Sequence, residues 1–171
     1  MKVSPDIPGG DSATMWIEAL YLENGPDLLS YLHQRLGDVS SAEDLLQETF
    51  VAVLRHPERL RSSASPRAYL FGIARNLAAS SCRSLRAGDP LTPEVSEATA
   101  ISDPRLESMR ASIDRLKPEF REVLQMRLQH EFSYEEIATV LGVPIGTVRS
   151  RLHHAVLQLQ RALTRTPTIQ N

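Results

Sequence analysis

Every stretch of this chain that repeats its apolar residues does so at helical spacing, and none alternates apolar with polar as a half-buried strand does, so the fold has to be assembled from helices alone. Ser12 to Glu23 and Asp27 to Leu36 carry apolar residues three and four apart, with Asn24-Gly25-Pro26 as a break or kink between them and Gly37-Asp38 as the stop. Ser40 followed by Glu43 has the spacing of a capping box, and Ala42, Leu45, Leu46, Phe50, Val53 and Leu54 then form one stripe up to His56-Pro57. After the turn-rich run from Arg61 to Ser65, Pro66 opens a long helix to about Arg86, with Leu70, Ile73, Ala74, Leu77 and Leu85 on its buried side. Trp16 and Met15 are expected to pack in this first domain.

Residues 87–102 contain Gly88, Pro90 and Pro93 with small and acidic residues and no arginine or lysine, the composition of a flexible linker. The fold class is therefore all-α, with a helical domain over 1–86, a linker over 87–102 and a second helical domain over 103–171. The second domain starts at Asp103-Pro104, an N-cap followed by proline, with helices to Leu116 and from Pro118 to about Gln129. Ser133 and Glu136 make a further capping box, and Phe132 and Ile137 stand at the spacing of a hydrophobic staple.

The segment from Ser133 to Leu163 fits a helix-turn-helix plan. A short helix supplies Ile137, Ala138 and Leu141 to a core, Gly142 suits a left-handed turn position, and Pro144 opens the next helix. At about 100° per residue, Ile145, Val148, Leu152, Ala155, Val156 and Leu159 fall on one side of that helix. Gly146, Thr147, Ser150, His153 and His154 fall opposite, flanked by Arg149 and Arg151. Hydroxyls, imidazoles and guanidinium forks can donate to base edges and phosphates in a major groove. A purely structural helical hairpin would show the same periodicity.

Charge bears on these readings only when it is followed along the chain, and arginines that merely solvate a helix face remain the alternative for either block. The net charge of −2 would disfavour a nucleic-acid binder if it were evenly spread. Residues 1–54 hold two basic residues against nine acids, and 55–86 hold seven arginines against Glu58 alone. Residues 87–143 return to eleven acids against six basic residues, and 144–171 carry four arginines, two histidines and no acid. A phosphate backbone senses the local patch, so such a chain can present two DNA-facing surfaces.

Other function classes find no support. The single Cys82 excludes an internal disulfide framework and a cysteine-rich zinc site, and suits a reducing cytoplasm; a thiol switch has no support. His153 and His154 are adjacent and diverge, and His33, His56 and His130 show no ligand spacing with them, so no metal is expected. The chain has no phosphate-binding glycine loop and no nucleophile motif, which predicts no cofactor and no enzymatic activity. No apolar leader and no run of about 18 apolar residues is present, which predicts a cytoplasmic protein without membrane insertion.

Three motifs carry a family resemblance. Ser133-Tyr-Glu-Glu-Ile-Ala138 with Leu141-Gly-Val-Pro-Ile-Gly-Thr-Val-Arg-Ser-Arg-Leu-His153 resembles the last conserved region of sigma-70 family factors of the small extracytoplasmic-function (ECF) group. Arg35-Leu-Gly-Asp with Ala42-Glu-Asp-Leu-Leu-Gln-Glu-Thr-Phe50 resembles the group's polymerase-binding helix, and Pro66-Arg-Ala-Tyr-Leu-Phe-Gly-Ile-Ala-Arg-Asn-Leu77 its promoter-melting helix. The motifs occur in family order and together span nearly the whole chain outside the linker and tails.

The resemblance implies a sigma factor that binds core RNA polymerase, through its clamp coiled coil and flap, and directs initiation at promoters in the bacterial cytoplasm and nucleoid. Asp44, Gln47 and Glu48 would dock on the clamp. Arg75, Asn76, Arg83 and Arg86, with the loop from Arg59 to Ser65, would capture the melted −10 element. Thr147, Arg149, Ser150, Arg151, His153 and His154 would read the duplex −35 element. An anti-sigma factor is the regulatory partner the group implies. The chain departs from the family pattern at Ala79 to Ser84, less basic than usual, and at His154 and Leu157, where arginines are common. Those departures predict a looser hold on phosphate, tolerable for a reader tethered by polymerase. They also leave room for a degenerate sigma-like protein that binds only a regulator, beside a free-standing helix-turn-helix regulator.

Overall fold

The computed structural model describes the backbone of residues 11–86 and 104–164, and the side chains of 15–82 and 106–164. All its regular elements are helices: α1 (Asp11–Leu36), α2 (Val39–Arg55), α3 (Pro57–Ser62) and α4 (Pro66–Arg86), then α5 (Pro104–Asp114), α6 (Pro118–Leu128), α7 (Tyr134–Leu141) and α8 (Ile145–Thr164). The chain divides into two compact units, one holding α1–α4 and the other α5–α8. The expected linker and the Asp103 cap lie outside the described residues.

In the first unit α1, α2 and α4 pack against one another, and α3 bridges α2 and α4. Leu28, Leu32, Leu60, Leu70 and Phe71 are fully buried at the centre. Tyr31 tilts on Phe71 at 5.3 Å between ring centroids, and Tyr21 meets Phe50 edge-on at 5.0 Å. The expected break at Asn24-Gly25-Pro26 does not interrupt the element, because α1 runs through Pro26. A mid-helix proline costs about 3 kcal/mol in an isolated helix. Burial of Ile17 and Leu20 before the proline and of Leu28, Tyr31 and Leu32 after it offsets that cost. The carbonyl that Pro26 leaves without its N–H belongs to Leu22, a residue 71% exposed and so within reach of water. Asn24 is buried and donates from Nδ2 to the Leu20 carbonyl at 3.1 Å, which satisfies its amide inside the helix.

The cap of α2 lies two residues before the expected one, Ser40. Gly37, at φ 77°, ends α1, and Asp38 then caps α2 by accepting from the Ser41 amide at 2.7 Å. These hydrogen bonds from Ser41 hold the Asp38 carboxyl below its ordinary pKa. Ser40 lies inside the helix. The α2 stripe is also narrower than expected: Ala42, Leu45, Leu46, Phe50 and Val53 are buried, but Leu54 turns outward at 54% exposure. The interior position taken in its place is Thr49, fully buried, whose hydroxyl donates to the Leu45 carbonyl at 2.7 Å.

A short helix that the periodicity did not give, α3, ends at Ser62 within the turn expected from Arg61 to Ser65, and its Leu60 is fully buried. Ser65 caps α4 by accepting from the Ala68 amide at 3.2 Å, with Pro66 as first helical residue as expected. The buried face of α4 is rotated from the expected one. Ala68, Leu70, Phe71, Ala74 and Ala78 are buried, whereas Ile73 and Leu77 are half-buried and the Leu85 side chain lies outside the described residues. The large Phe71 ring pulls this face toward Tyr31 of α1. Met15, expected in the core, is 69% exposed; Trp16 is half-buried, with the Arg61 guanidinium 5.5 Å above its ring. An ion pair of Arg67 with Asp27 ties α4 to α1.

In the second unit α8 packs against α5, α6 and α7. Helix α5 stops at Asp114, two residues before the expected end, and Arg121 of α6 closes it by donating to the carbonyls of Asp114 and of Leu116, the latter at 3.2 Å. Phe132, Ile137, Met126, Val123 and Val148 are fully buried at the centre.

Candidate nucleic-acid interface

The helix-turn-helix of the second unit follows from local chemistry at each joint. The Ser133 hydroxyl accepts from the Glu136 amide at 3.2 Å while the Glu136 carboxylate accepts from the Ser133 amide at 2.9 Å, completing the expected capping box. Phe132 and Ile137 are both fully buried beside it, as the staple requires. Gly142 then adopts φ 64°, ψ 36°, and the Val143 amide donates to the Ala138 carbonyl at 3.1 Å, which closes the end of α7 with a left-handed cap. Pro144 stands at the head of α8, its carbonyl accepting from the Thr147 amide at 2.9 Å. Ile137 and Leu141 are core residues as expected, joined by Val140; Ala138 is only half-buried.

The inner side of α8 is Val148, Leu152, Ala155 and Leu159, all buried as expected. Ile145 is half-buried and Val156 is 44% exposed, because both lie at the margin of a stripe one residue wide on each turn. On the outer side Arg149, Ser150, His153 and His154 are exposed, and Thr147 and Arg151 are half-buried. These six residues therefore share the solvent side of one helix, without an acid anywhere along it. A Cβ built on Gly146 meets nothing within 4 Å, so that turn of α8 presents open space to a partner. The His154 ring stacks on Phe120 of α6, with centroids 5.8 Å apart and planes 23° from parallel, and meets His153 edge-on at 5.9 Å. Periodicity within α8 could not disclose the Phe120 contact, since the partner comes from another helix.

In the first unit Asp44, Gln47 and Glu48 are exposed on α2, opposite its buried stripe. Val51 and Leu54 extend this exposed face by a further turn at 45% and 54% exposure, an apolar continuation that the sequence reading missed by assigning Leu54 inward. On α4, Asn76 is exposed and Arg75 half-buried, flanked by half-buried Gly72 and Ala79; the side chains of Arg83 and Arg86 lie outside the described residues. Of the loop from Arg59 to Ser65, residues 59–62 are helical. Ser63 donates to the Leu60 carbonyl at 2.6 Å, leaving Ala64 exposed at the apex. Among the described residues no group of three metal-binding side chains converges, and no helix is long and apolar enough to cross a membrane.

This arrangement has known counterparts. Residues 20–87 match the family described as Sigma-70 region 2, and 106–159 match Sigma-70, region 4. The ECF RNA polymerase sigma factor SigL of Mycobacterium tuberculosis is 36% identical over 158 residues, covering 86% of this chain and 88% of that protein. The chain belongs to the ECF group of the sigma-70 family. RNA polymerase sigma factor YlaC of Bacillus subtilis is 30% identical over 161 residues, 88% of this chain and 93% of that protein. Among solved structures, the sigma factor RpoE of Bartonella quintana, crystallised with the anti-sigma factor NepR, superposes with a TM-score of 0.69 at 25% identity, covering 88% of this chain and 98% of that one. Within the sigma fold, α1–α4 thus form region 2, and α5–α8 form region 4 with α7 and α8 as its helix-turn-helix. Sigma-70 factors are in general not enzymes.

Proposed function

We propose that this sigma factor attaches to core RNA polymerase through Asp44, Gln47 and Glu48 on α2 and reads the duplex −35 element with Thr147, Arg149, Ser150, Arg151, His153 and His154 on α8. Arg75, Asn76, Arg83 and Arg86 on α4 hold the melted −10 strand, so that promoter opening draws on binding energy and the chain performs no covalent chemistry of its own. The observation that carries this reading is the sorting of charge between exposed helix faces: carboxylates on α2, and on α8 three guanidinium groups with hydroxyls and imidazoles and no acid. An acidic face suits a basic protein helix, and an acid-free one suits phosphate. The domain roles follow as region 2 over 1–86, a linker over 87–102 and region 4 over 103–171. The cytoplasm, at the nucleoid, is the compartment where such a reader meets its template. A protein of anti-sigma type is the inhibitor we assign to it, on the strength of the complex formed by the Bartonella relative.

Reconstitution tests the assignment. Core polymerase with the purified chain is incubated with fragmented genomic DNA of the source bacterium, and the 5′ ends of the transcripts are sequenced. A shared pair of upstream elements is expected; transcripts without one, or no association with core polymerase, would refute the reading. Asp44→Arg is expected to weaken polymerase association while thermal unfolding stays unchanged. Arg149→Ala and Arg151→Ala should each lower use of the mapped promoters about 5- to 100-fold with polymerase association intact.

A further inference from the structure

We propose that Phe120 is a positioning residue for the −35 reader, its ring holding His154 and Lys117 in place to contact phosphates beside the bases that α8 reads. This rests on the assignment of the outer side of α8 to duplex DNA. Thr147, Arg151 and His154 stand at positions i, i+4 and i+7 and so form one edge of that side. The edge faces α6, because the His154 ring lies nearly parallel on Phe120 at 5.8 Å. The same ring carries a second group: the Lys117 ammonium, at the head of α6, is 5.9 Å from its centroid. Lys117 and His154 are both exposed, and among the described residues neither is engaged in an ion pair, so both keep donors for an outside acceptor. Phe120 itself is half-buried, wedged between α6 and α8 rather than inside the core.

The physical consequence is preorganisation. A lysine free on the surface loses several rotamers when it meets a phosphate, whereas one already lying over an aromatic face has given up that freedom beforehand. An imidazole held flat against a ring likewise presents its N–H edge in one direction. His154 stands where the family commonly has arginine, and the ring from α6 adds the nearby ammonium of Lys117 to that same edge. Phe120 contributes no charge and no hydrogen bond; it acts through the two groups it holds.

The test uses holoenzyme, made from core polymerase and the full chain, on a promoter mapped from its own transcripts, with affinity measured against potassium chloride concentration. Each phosphate contact contributes about 0.9 to the log–log salt slope. Lys117→Ala should reduce the slope by about that amount. Phe120→Leu keeps an apolar side chain and changes no charge, yet it should reduce the slope similarly and weaken binding about three- to tenfold, while Phe120→Tyr behaves as wild type. A Phe120→Leu protein that loses affinity with the salt slope unchanged, or that binds as wild type, would overturn the positioning role. If Arg149→Ala and Arg151→Ala weaken promoter binding but Lys117→Ala and Phe120→Leu do not, this inference alone fails. If none of the four has an effect, the assignment of α8 fails with it.

Discussion

Gly142 sets the angle between α7 and α8, and the cost of replacing it can be worked out in parts. At φ 64° the residue sits in the left-handed region, which costs an ordinary L-residue roughly 1–2 kcal/mol. The second part, steric, is absent, because a Cβ built there meets nothing within 4 Å. Gly142→Ala should therefore cost about 1 kcal/mol from backbone conformation alone. Gly142→Asn should cost clearly less, since asparagine tolerates this region, and Gly142→Val more, since a β-branched residue resists it. Differential scanning calorimetry should show the second unit melting about 4–8 °C lower for alanine. Amide exchange followed by mass spectrometry should show α7 and the first turns of α8 opening about fivefold more often, with α1–α4 unaffected. Equal effects of asparagine and alanine would refute the left-handed argument. A loss of several kcal/mol with alanine would mean that the turn is sterically closed, contrary to the open space seen around it.

Two further outcomes concern the first unit. Since the capping hydrogen bonds depress the Asp38 pKa, its stabilisation is fully present above the ordinary carboxylate range and is lost as pH falls through the folded-state value. Asp38→Ala should thus lower the melting temperature at pH 7 and remove part of the acid dependence, and a pH–stability curve parallel to wild type would count against the cap. The Asp27–Arg67 pair is about a third exposed at each partner, so a double-mutant cycle with Asp27→Asn and Arg67→Gln should return a coupling of about 1 kcal/mol or less. A coupling several times larger would mean that solvent does not screen the pair.

The second unit was the more legible in sequence because its decisive interactions span only a few residues. Ser133 with Glu136, Phe132 with Ile137, the left-handed Gly142 and the stripe Val148, Leu152, Ala155 and Leu159 each depend on neighbours within one or two helical turns. The residues proposed to read DNA on α8 and to dock on polymerase from α2 were likewise placed on solvent sides by periodicity alone, since opposite faces of a helix are fixed by its pitch. Leu54 and Val156 mark the resolution of that reasoning, because apolar identity does not say whether a residue at the edge of a stripe has a neighbour to cover it.

What local pattern could not supply was supplied by partners distant in the chain. Helix α1 continues through Pro26 because α2 and α4 cover it on either side of the proline, and the inward side of α4 is turned by a ring contact with Tyr31, forty residues before Phe71. The stacking of His154 on Phe120 joins residues on two helices that no spacing rule connects. The amino-acid order by itself determined the heads of α4, α6 and α7 and which sides of α2 and α8 meet water, since capping and amphipathicity act over one or two turns. Tertiary structure decided how each helix is rotated about its axis and which exposed side chains are held ready, because those depend on surfaces brought together only when the chain packs.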